Sequence, residues 1–258
     1  MASSADRMAA GAGFGALAKA DELKKRLWFT VGALIIYRLG TYLPLPGIDP
    51  GALADIFSQQ SSGILGMFDM FSGGALSRMT IFALNIMPYI TASIIMQLMT
   101  AIVPTLETLK KDGEAGRKTI NQYTRYLTVL LATVQGYGIA VGLESASGVV
   151  DDPGLFFRVT TVVTLVGGTL FLMWLGEQIT SRGVGNGISL IIFAGIVANL
   201  PTALAGTLEL GRTGALSSLL IVLLFVMAAA VIAFIVFIER SVRKILVQYP
   251  KRQHGNKV

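Results

Sequence analysis

Residues 63–104 read GILGMFDMFSGGALSRMTIFALNIMPYITASIIMQLMTAIVP, and two different apolar patterns meet in this stretch. Its first part, 63–78, is rich in glycine, methionine and phenylalanine, and it is too short and too interrupted to cross a membrane. Its second part, 79–103, is a long apolar run with Asn85, Pro88 and Gln97 set inside it. Irregular backbone survives at membrane depth only where protein or trapped water covers it. The stretch therefore predicts a half-inserted segment and a broken span beside a cavity.

The composition is that of an integral membrane protein. Of the 258 residues, 53% are hydrophobic and only 14% are charged, and the mean hydropathy is +0.67. In an ordinary soluble domain about a quarter of the residues are charged. Because the apolar residues also come in long blocks, we expect several membrane-spanning helices.

The apolar blocks contain none of the side chains that membrane enzymes commonly use. The chain has no cysteine, and its single histidine, His254, lies in the polar tail. This excludes disulfides and thiolate chemistry, and it leaves no intramembrane histidine for a metal or haem. An ion-coupled transporter is expected to carry a mid-membrane carboxylate, and the blocks have none. We therefore predict no enzymatic activity, no cofactor and no metal, and a channel or a scaffold remains, with the channel fitting best.

Six spans are predicted from the intervals between charges. They cover residues 27–43, 79–103, 126–143, 159–176, 188–208 and 214–238. Each interval has enough apolar residues for the roughly 20 that a helix needs to cross ~30 Å of hydrocarbon. All but four of the 21 lysines and arginines then fall on one side; the exceptions are Arg38, Arg78, Arg158 and Arg212. This bias predicts that both termini are cytosolic.

Two pairs of isoleucines have both a structural and a functional interpretation. Ile86 and Ile90 are four residues apart, as are Ile188 and Ile192, so each pair shares one face of a helix. Such pairs are usually packing or lipid-facing residues. Stiff, β-branched side chains can also form a ring that narrows a pore and excludes water. Spacing does not decide between the two interpretations.

Three further features concern the backbone and the loops. Pro88 should remove the hydrogen bond to the carbonyl of Leu84 and bend the second span. The glycine-dense stretch 183–187 predicts a tight turn with positive φ between antiparallel spans, since no P-loop lysine closes it. The basic loop 107–125 and the basic tail after Ile238 are either topology determinants near anionic lipid or docking sites for a cytosolic partner.

Several sequence blocks resemble those of a known family. The blocks are PLPGI at 44–48, MFDMFSGGALSR at 67–78, IMPYI at 86–90, NQYTRY at 121–126, MWLGEQI at 173–179, RGVGNGIS at 182–189 and KRQ at 251–253. Together they strongly resemble the SecY family, the central subunits of the protein-translocation channel, and most of all its bacterial form. The resemblance covers nearly the whole chain, apart from the leader and the outer loops.

The resemblance implies an all-α polytopic membrane protein that is part of a ten-helix channel with an hourglass pore and a side opening to lipid. This chain would supply the first half and one further helix. Its parts would be a cytosolic segment (1–26), a transmembrane channel domain (27–240) with a plug at about 63–74, and the start of a large cytosolic loop (241–258). On this resemblance the chain stops inside that loop, before the family's last four helices.

The resemblance also implies roles for individual residues. The pore ring would include Ile86, Ile90, Ile188 and Ile192. The plug would include Ile64, Met67, Phe68, Met70, Phe71, Gly73 and Gly74. Spans two and three would form one side of the lateral gate, with Pro88 and Gln97 as gate residues. Cytosolic partners would dock at Arg240, Arg243, Lys244, Lys251 and Arg252.

The function implied by the resemblance is the passage of unfolded secretory polypeptides across the membrane and the lateral release of membrane helices, driven by a partner. The expected partners are the small membrane subunits SecE and SecG, the SecA motor or the ribosome with possible ribosomal RNA contact, signal sequences, nascent polypeptides and the lipid bilayer. The expected location is the bacterial inner membrane. The alternative is a membrane scaffold or insertase without a sealed pore.

Overall fold

The computed structural model of the chain describes residues 21–49, 51–53, 55, 66, 69, 72–146 and 148–241. The prediction of an all-α protein is confirmed over these residues, whose long elements are all helices. They are α1 (Asp21–Gly40), α2 (Met87–Ile102), α3 (Pro104–Lys111), α4 (Glu114–Ser145), α5 (Leu155–Arg182), α6 (Gly187–Ala198), α7 (Leu200–Arg212) and α8 (Ser218–Glu239).

The chain divides into two compact units, residues 1–201 and 202–258. In the described part of the first unit, α4 packs along α5 and α2, and α5 also packs against α1 and α6. The short α3 contacts both α2 and α4. In the second unit the described part of α8 follows a turn in which the Leu216 N–H donates to the Leu210 carbonyl at 3.0 Å.

Four helical stretches are long and apolar enough to cross a membrane: Glu114–Ser145, Leu155–Arg182, Gly187–Arg212 and Leu219–Glu239. They correspond to predicted spans three to six. A fifth candidate is the pair formed by α2 and α3, which is bent by 99°. The described residues therefore contain four to five candidate spans, and the count of six and the orientation stay predictions.

The first predicted span, 27–43, is the one without such a candidate. Its helix, α1, ends at Gly40 and begins in a charged turn that includes 24–26. From Leu27 to Gly40 an α-helix covers about 21 Å, which is less than the ~30 Å of a hydrocarbon core. The apolar part of α1 is thus shorter than the sequence interval suggested.

The second predicted span, 79–103, is not one helix. Only α2 is helical, and residues 79–86, which we call the turn segment, form a succession of turns. Met79 and Asn85 have left-handed backbone conformations, with φ of 42° and 49°. The residues that follow α1 hold the turn segment in place through two backbone hydrogen bonds. The Ile81 N–H donates to the Leu43 carbonyl at 3.0 Å, and the Leu45 N–H donates to the Met79 carbonyl at 3.0 Å.

The predicted role of Pro88 as a mid-span kink is therefore wrong. Pro88 lies in the first turn of α2, directly after Met87 and the N-cap residue Ile86. The first backbone N–H groups of a helix have no intrahelical acceptor, so a proline there removes no hydrogen bond and presets a helical φ. The span is broken instead by the left-handed Asn85, whose side-chain Oδ1 accepts a hydrogen bond from Ile86 N–H at 2.9 Å.

The glycine-dense stretch 183–187 is a tight turn, as predicted. Positive φ occurs at Gly185 (78°). A Cβ atom on Gly183 would collide with Thr30 of α1 and Ile179 of α5, and one on Gly187 would collide with α5. Asn186 then caps α6, accepting hydrogen bonds from two backbone N–H groups. The Val184 N–H donates to Thr30 Oγ1 at 3.1 Å, which ties the turn to α1.

The core of the first unit has two apolar clusters, and the turn segment contributes to both. Met79, Ala83 and Leu84 belong to the cluster that α4 and the start of α5 complete. Phe82 and Ile86 belong to the other, which includes residues of α1, α5 and α6. Every residue of the turn segment except Ile81 is buried. The turn segment is therefore at the centre of the packing of the first unit.

The outer faces of the long helices are apolar and uncovered. At most a third of the most apolar window of any candidate span is buried, and in Leu219–Glu239 none of it is. Exposed apolar surface of this extent is typical of a lipid-facing or partner-facing protein. It agrees with a multi-pass membrane protein.

Candidate functional site

A cavity of about 290 Å³ lies where the turn segment meets α6. Its lining consists of Asn85, Ile86, Met87, Ile90 and Ile192. Four of these five residues follow one another along the break in span two and the first turn of α2, and the fifth projects from α6. The break and the first turn of α2 thus supply most of the lining, since α2 begins only at Met87.

The structure brings three of the four predicted ring isoleucines to this cavity. Ile86 is 1% exposed, and its carbonyl accepts a hydrogen bond from Ile90 N–H at 3.1 Å, so the two side chains are one helical turn apart. Ile90 and Ile192 are half-buried. Ile188 does not line the cavity and packs on α5, where a Cβ on Gly176 would lie 3.0 Å from its Cγ1.

Stiff apolar side chains around a narrow space disfavour water and ions by dewetting. The lining fits this property, since its one amide, Asn85, already accepts from the Ile86 backbone and is only 5% exposed. Polar contact with anything that entered the cavity would therefore be weak. The arrangement is suited to exclusion of small ions rather than to binding or chemistry.

A second, larger cavity of about 490 Å³ lies on the other side of Asn85 and Met87. Its further lining comes from three places: Ser72 and Leu76; Ala83, Leu84 and Thr91; and Gln135, Gly138 and Ile139 of α4. The two cavities share only Asn85 and Met87. These two residues thus line both cavities, and the larger cavity extends to α4.

The two predicted gate residues are not neighbours in the structure. Pro88 is buried at the start of α2, whereas Gln97 is exposed near its end. Gln97 lines a polar cavity of about 280 Å³ together with Lys110, Arg117 and Asn121. No sequence pattern predicted this cavity, because it depends on α3 packing against α2 and α4 after the 99° bend.

Of the predicted plug residues, Ile64, Met67, Phe68, Met70 and Phe71 lie outside the described part of the chain. Gly73 and Gly74 are described, and both have left-handed φ, of 67° and 80°. The Asp69 carboxylate accepts hydrogen bonds from Ser77 N–H at 2.8 Å and from the Ser72 hydroxyl at 3.2 Å. These bonds close the chain into a compact turn just before the turn segment.

Two arginines that sequence analysis treated only as outer charges converge on this turn. Arg38 Nη1 donates to the Gly73 carbonyl at 2.9 Å, and Arg78 Nη2 donates to the same oxygen at 3.2 Å. The Tyr42 ring lies beside both guanidinium groups, at 5.1 Å from Arg38 and 4.4 Å from Arg78. No sequence motif indicated this cluster, whose members are up to 40 positions apart.

Two ion pairs hold α4 and α5 together, and sequence reasoning missed both. Arg125 and Glu177 form a bidentate pair at 3.0 and 2.7 Å. Glu144 accepts from Arg158 at 2.7 Å and from Gly154 N–H at 3.0 Å, which closes the loop between the two helices. Among the described residues no group of histidine, aspartate or glutamate side chains is arranged to hold a metal ion.

The predicted docking residues are almost entirely outside the described part of the chain. Only Arg240 is described, as the exposed C-cap residue of α8. The other four are Arg243, Lys244, Lys251 and Arg252. The predicted cytosolic segment is described only from Asp21, where α1 begins.

The fold and the site define a class: a helical, multi-span membrane protein in which, over the described residues, a broken span and α6 line an apolar cavity. The chain belongs to the SecY family, whose model matches residues 80–258. It is 58% identical over 240 residues to the protein translocase subunit SecY of Escherichia coli (strain K12), covering 92% of this chain and 54% of that protein. The resemblance stated from the sequence blocks is thereby confirmed.

Other relatives give the same picture. The protein translocase subunit SecY of Buchnera aphidicola subsp. Acyrthosiphon kondoi is 58% identical over 92% of this chain and 67% of that protein. The one from Rickettsia conorii (strain ATCC VR-613 / Malish 7) is 56% identical over 92% of this chain and 56% of that protein. The chain thus spans about half the length of the Escherichia coli relative it matches.

Solved structures share the fold. Sec61 in the canine ribosome-channel complex from the endoplasmic reticulum matches with a TM-score of 0.50 and 20% identity, over 73% of this chain and 38% of that one. A structure described as that of a protein conducting channel matches with the same values. At this identity the likeness concerns the fold, and it agrees with the membrane helix arrangement described above.

Proposed function

We propose that this chain forms part of a protein-conducting channel, which passes unfolded polypeptides across the membrane and releases membrane helices sideways into lipid. The observation that carries the proposal is the apolar cavity between the break in span two and α6, where Ile86, Ile90 and Ile192 meet. A ring of such side chains can yield to a passing chain and close again behind it, because its contacts are non-directional.

The roles of the individual residues follow from their positions. Ile90 and Ile192, half-buried and facing the cavity, act as ring residues, and Ile86 supports the ring from the core. Ile188 contributes through its packing on α5. The segment 63–74 acts as the plug, with Gly73 and Gly74 as its joint to the turn segment. Gln97 and Pro88 belong to opposite ends of the gate-forming helix.

The proposed partners and location are argued from the relatives of this chain. Its curated relatives are named translocase subunits, and one solved structure with this fold comes from a ribosome-channel complex. We propose the same setting here: SecE and SecG in the membrane, SecA or the ribosome on the cytosolic face, and six spans in the bacterial inner membrane with both termini cytosolic. The basic residues beyond Arg240 would dock the cytosolic partner through salt-sensitive contacts.

The test uses cysteine cross-linking, for which the cysteine-free sequence is well suited. Single cysteines replace Ile90 and Ile94 in the complete channel complex, and a stalled cargo chain carries one cysteine. Ile94 is the matched control, because it lies one turn further along α2 but is 53% exposed and does not line the cavity. We expect a disulfide to cargo from position 90 and little from position 94.

The alternative function, a membrane scaffold or insertase without a sealed pore, predicts the opposite pattern. Cargo would then meet the exposed, lipid-facing side of α2, so position 94 would cross-link and position 90 would not. Deleting 63–74 would in that case change assembly but leave resting ion permeability unchanged.

A further inference from the structure

The carbonyl oxygen of Gly73 is the meeting point of three elements of the first unit. Arg38, from the last turn of α1, and Arg78, the residue before the turn segment, both donate to it, at 2.9 and 3.2 Å. The third element is α6: a Cβ atom on Gly73 would lie 2.8 Å from the Gly195 carbonyl oxygen and 3.0 Å from its Cα. Gly73 is therefore pressed, backbone against backbone, on the helix that carries Ile192.

This arrangement places two positive charges on one uncharged acceptor. Arginine stays protonated under all ordinary conditions, so both guanidinium groups remain donors. Among the described residues neither of them forms an ion pair with a carboxylate. Charge-assisted hydrogen bonds are roughly twice as strong as neutral ones, and here two of them fix a single peptide group.

The surroundings orient both arginines towards that peptide group. The face of the Tyr42 ring lies beside both side chains, and cation–π attraction stabilises each of them. Arg38 also donates to the Tyr42 hydroxyl at 3.1 Å. Because Tyr42 is itself about half exposed, the two arginines can separate from the Gly73 carbonyl without unpacking the core.

We infer that Arg38 and Arg78 are positioning residues for the closed state of the ring: with the Gly73 carbonyl they form a latch that holds the turn at 72–78 against α6. The inference rests on the proposed channel function and deepens it. Gly195 lies three residues after Ile192, so these two residues are neighbours on one side of α6. Release of Gly73 from Gly195 therefore loosens the support of the ring.

The test measures the seating of Gly73 through a thiol placed beside it. Ala75 is fully buried, and the chain has no other cysteine, so Ala75→Cys reports opening by its rate of reaction with a soluble thiol reagent. In the complete, reconstituted complex, Arg38→Gln and Arg78→Gln should each raise this rate about tenfold, the effect of losing one charge-assisted hydrogen bond. Resting ion conductance should rise with it.

The double variant, which combines Arg38→Gln with Arg78→Gln, shows whether the two arginines act together as a latch or independently of each other. Because both groups donate to one oxygen, they are coupled, and the combined increase should differ clearly from the product of the single increases. Arg38→Lys and Arg78→Lys keep the charge but lose the planar fork, so each should give a smaller increase than its glutamine variant. Arg212→Gln, at an exposed arginine paired with Glu209, is the matched control and should change nothing.

Three results would overturn the latch. They are an unchanged labelling rate in both glutamine variants, an equal rise in the Arg212 control, and increases that multiply in the double variant. The lysine variants keep the test decisive if a glutamine variant fails to assemble. If cargo still cross-links at position 90 while the latch variants behave like the parent protein, only the latch is wrong. Loss of cross-linking at position 90 in the parent protein would instead contradict the channel function.

Discussion

The turn segment (79–86) and α8 are both strongly apolar, yet their backbones are organised in opposite ways. The candidate span Leu219–Glu239 is an unbroken helix with a mean hydropathy of 3.3, and none of that window is buried. The turn segment has no helix, contains two left-handed residues, and is buried at every position except Ile81.

The difference lies in where the backbone hydrogen bonds are made. A helix such as α8 satisfies its own N–H and C=O groups, so its side chains can face lipid in almost any order. The turn segment also forms backbone hydrogen bonds with a distant part of the chain: Ile81 bonds to Leu43, and Met79 bonds to Leu45. Such backbone must be covered, so each side chain of the turn segment has a particular place.

The largest effect should come from removing a ring in the turn segment. Phe82 is 3% exposed, and its ring centroid lies 6.2 Å from that of Tyr37 and 5.8 Å from that of Phe171. Phe82→Ala should lower the free energy of unfolding by ~3–5 kcal/mol, because the lost contacts leave a cavity. Phe234→Ala on α8 is the control and should cost less than about 1 kcal/mol, since Phe234 is 64% exposed.

Both values are obtainable from denaturant unfolding of the purified protein in detergent. Equal losses at the two phenylalanines would mean that burial in this structure does not distinguish the turn segment from α8.

A smaller effect, with a reversal of sign, is expected when glycine and alanine are compared in the two regions. At position 85 the backbone is left-handed, so Asn85→Gly should be more stable than Asn85→Ala by about 1 kcal/mol. In α8 the order should reverse, and Ala229→Gly should lower stability by about 1 kcal/mol. Both variants at position 85 lose the acceptor for the buried Ile86 N–H, which costs a further ~1–3 kcal/mol.

The same unfolding measurement decides this comparison. A glycine penalty at both positions would show that residue 85 is helical, and span two would then be continuous after all.

The sequence sufficed for the helices whose hydrogen bonds are local. The spans around α4, α5, α7 and α8 were predicted from charge-free intervals. An unbroken apolar run in a membrane forms a helix because a helix satisfies all of its backbone hydrogen bonds internally. The turn at 183–187 was predicted from its glycines for the same reason: the constraint is within five residues.

The sequence did not suffice where distant residues decide the backbone. The helix break was assigned to Pro88, although the left-handed Asn85 makes it, because nothing local shows that residues near Leu43 bond to the turn segment. The meeting of Ile90 with Ile192, and of Arg38 with Gly73, likewise depends on tertiary packing. Spacing alone identified the isoleucine pairs but could not tell a ring from a packing face.

The most direct test of the channel account is the resting conductance of the complete complex in a planar bilayer. The variant Ile90→Gly with Ile192→Gly is compared with Ile94→Gly and Ile196→Gly, which lie one turn further along the same two helices and outside the cavity. We expect a marked ion leak for the first variant and parental conductance for the second. Equal conductance of the two variants, in correctly assembled complexes, would contradict it.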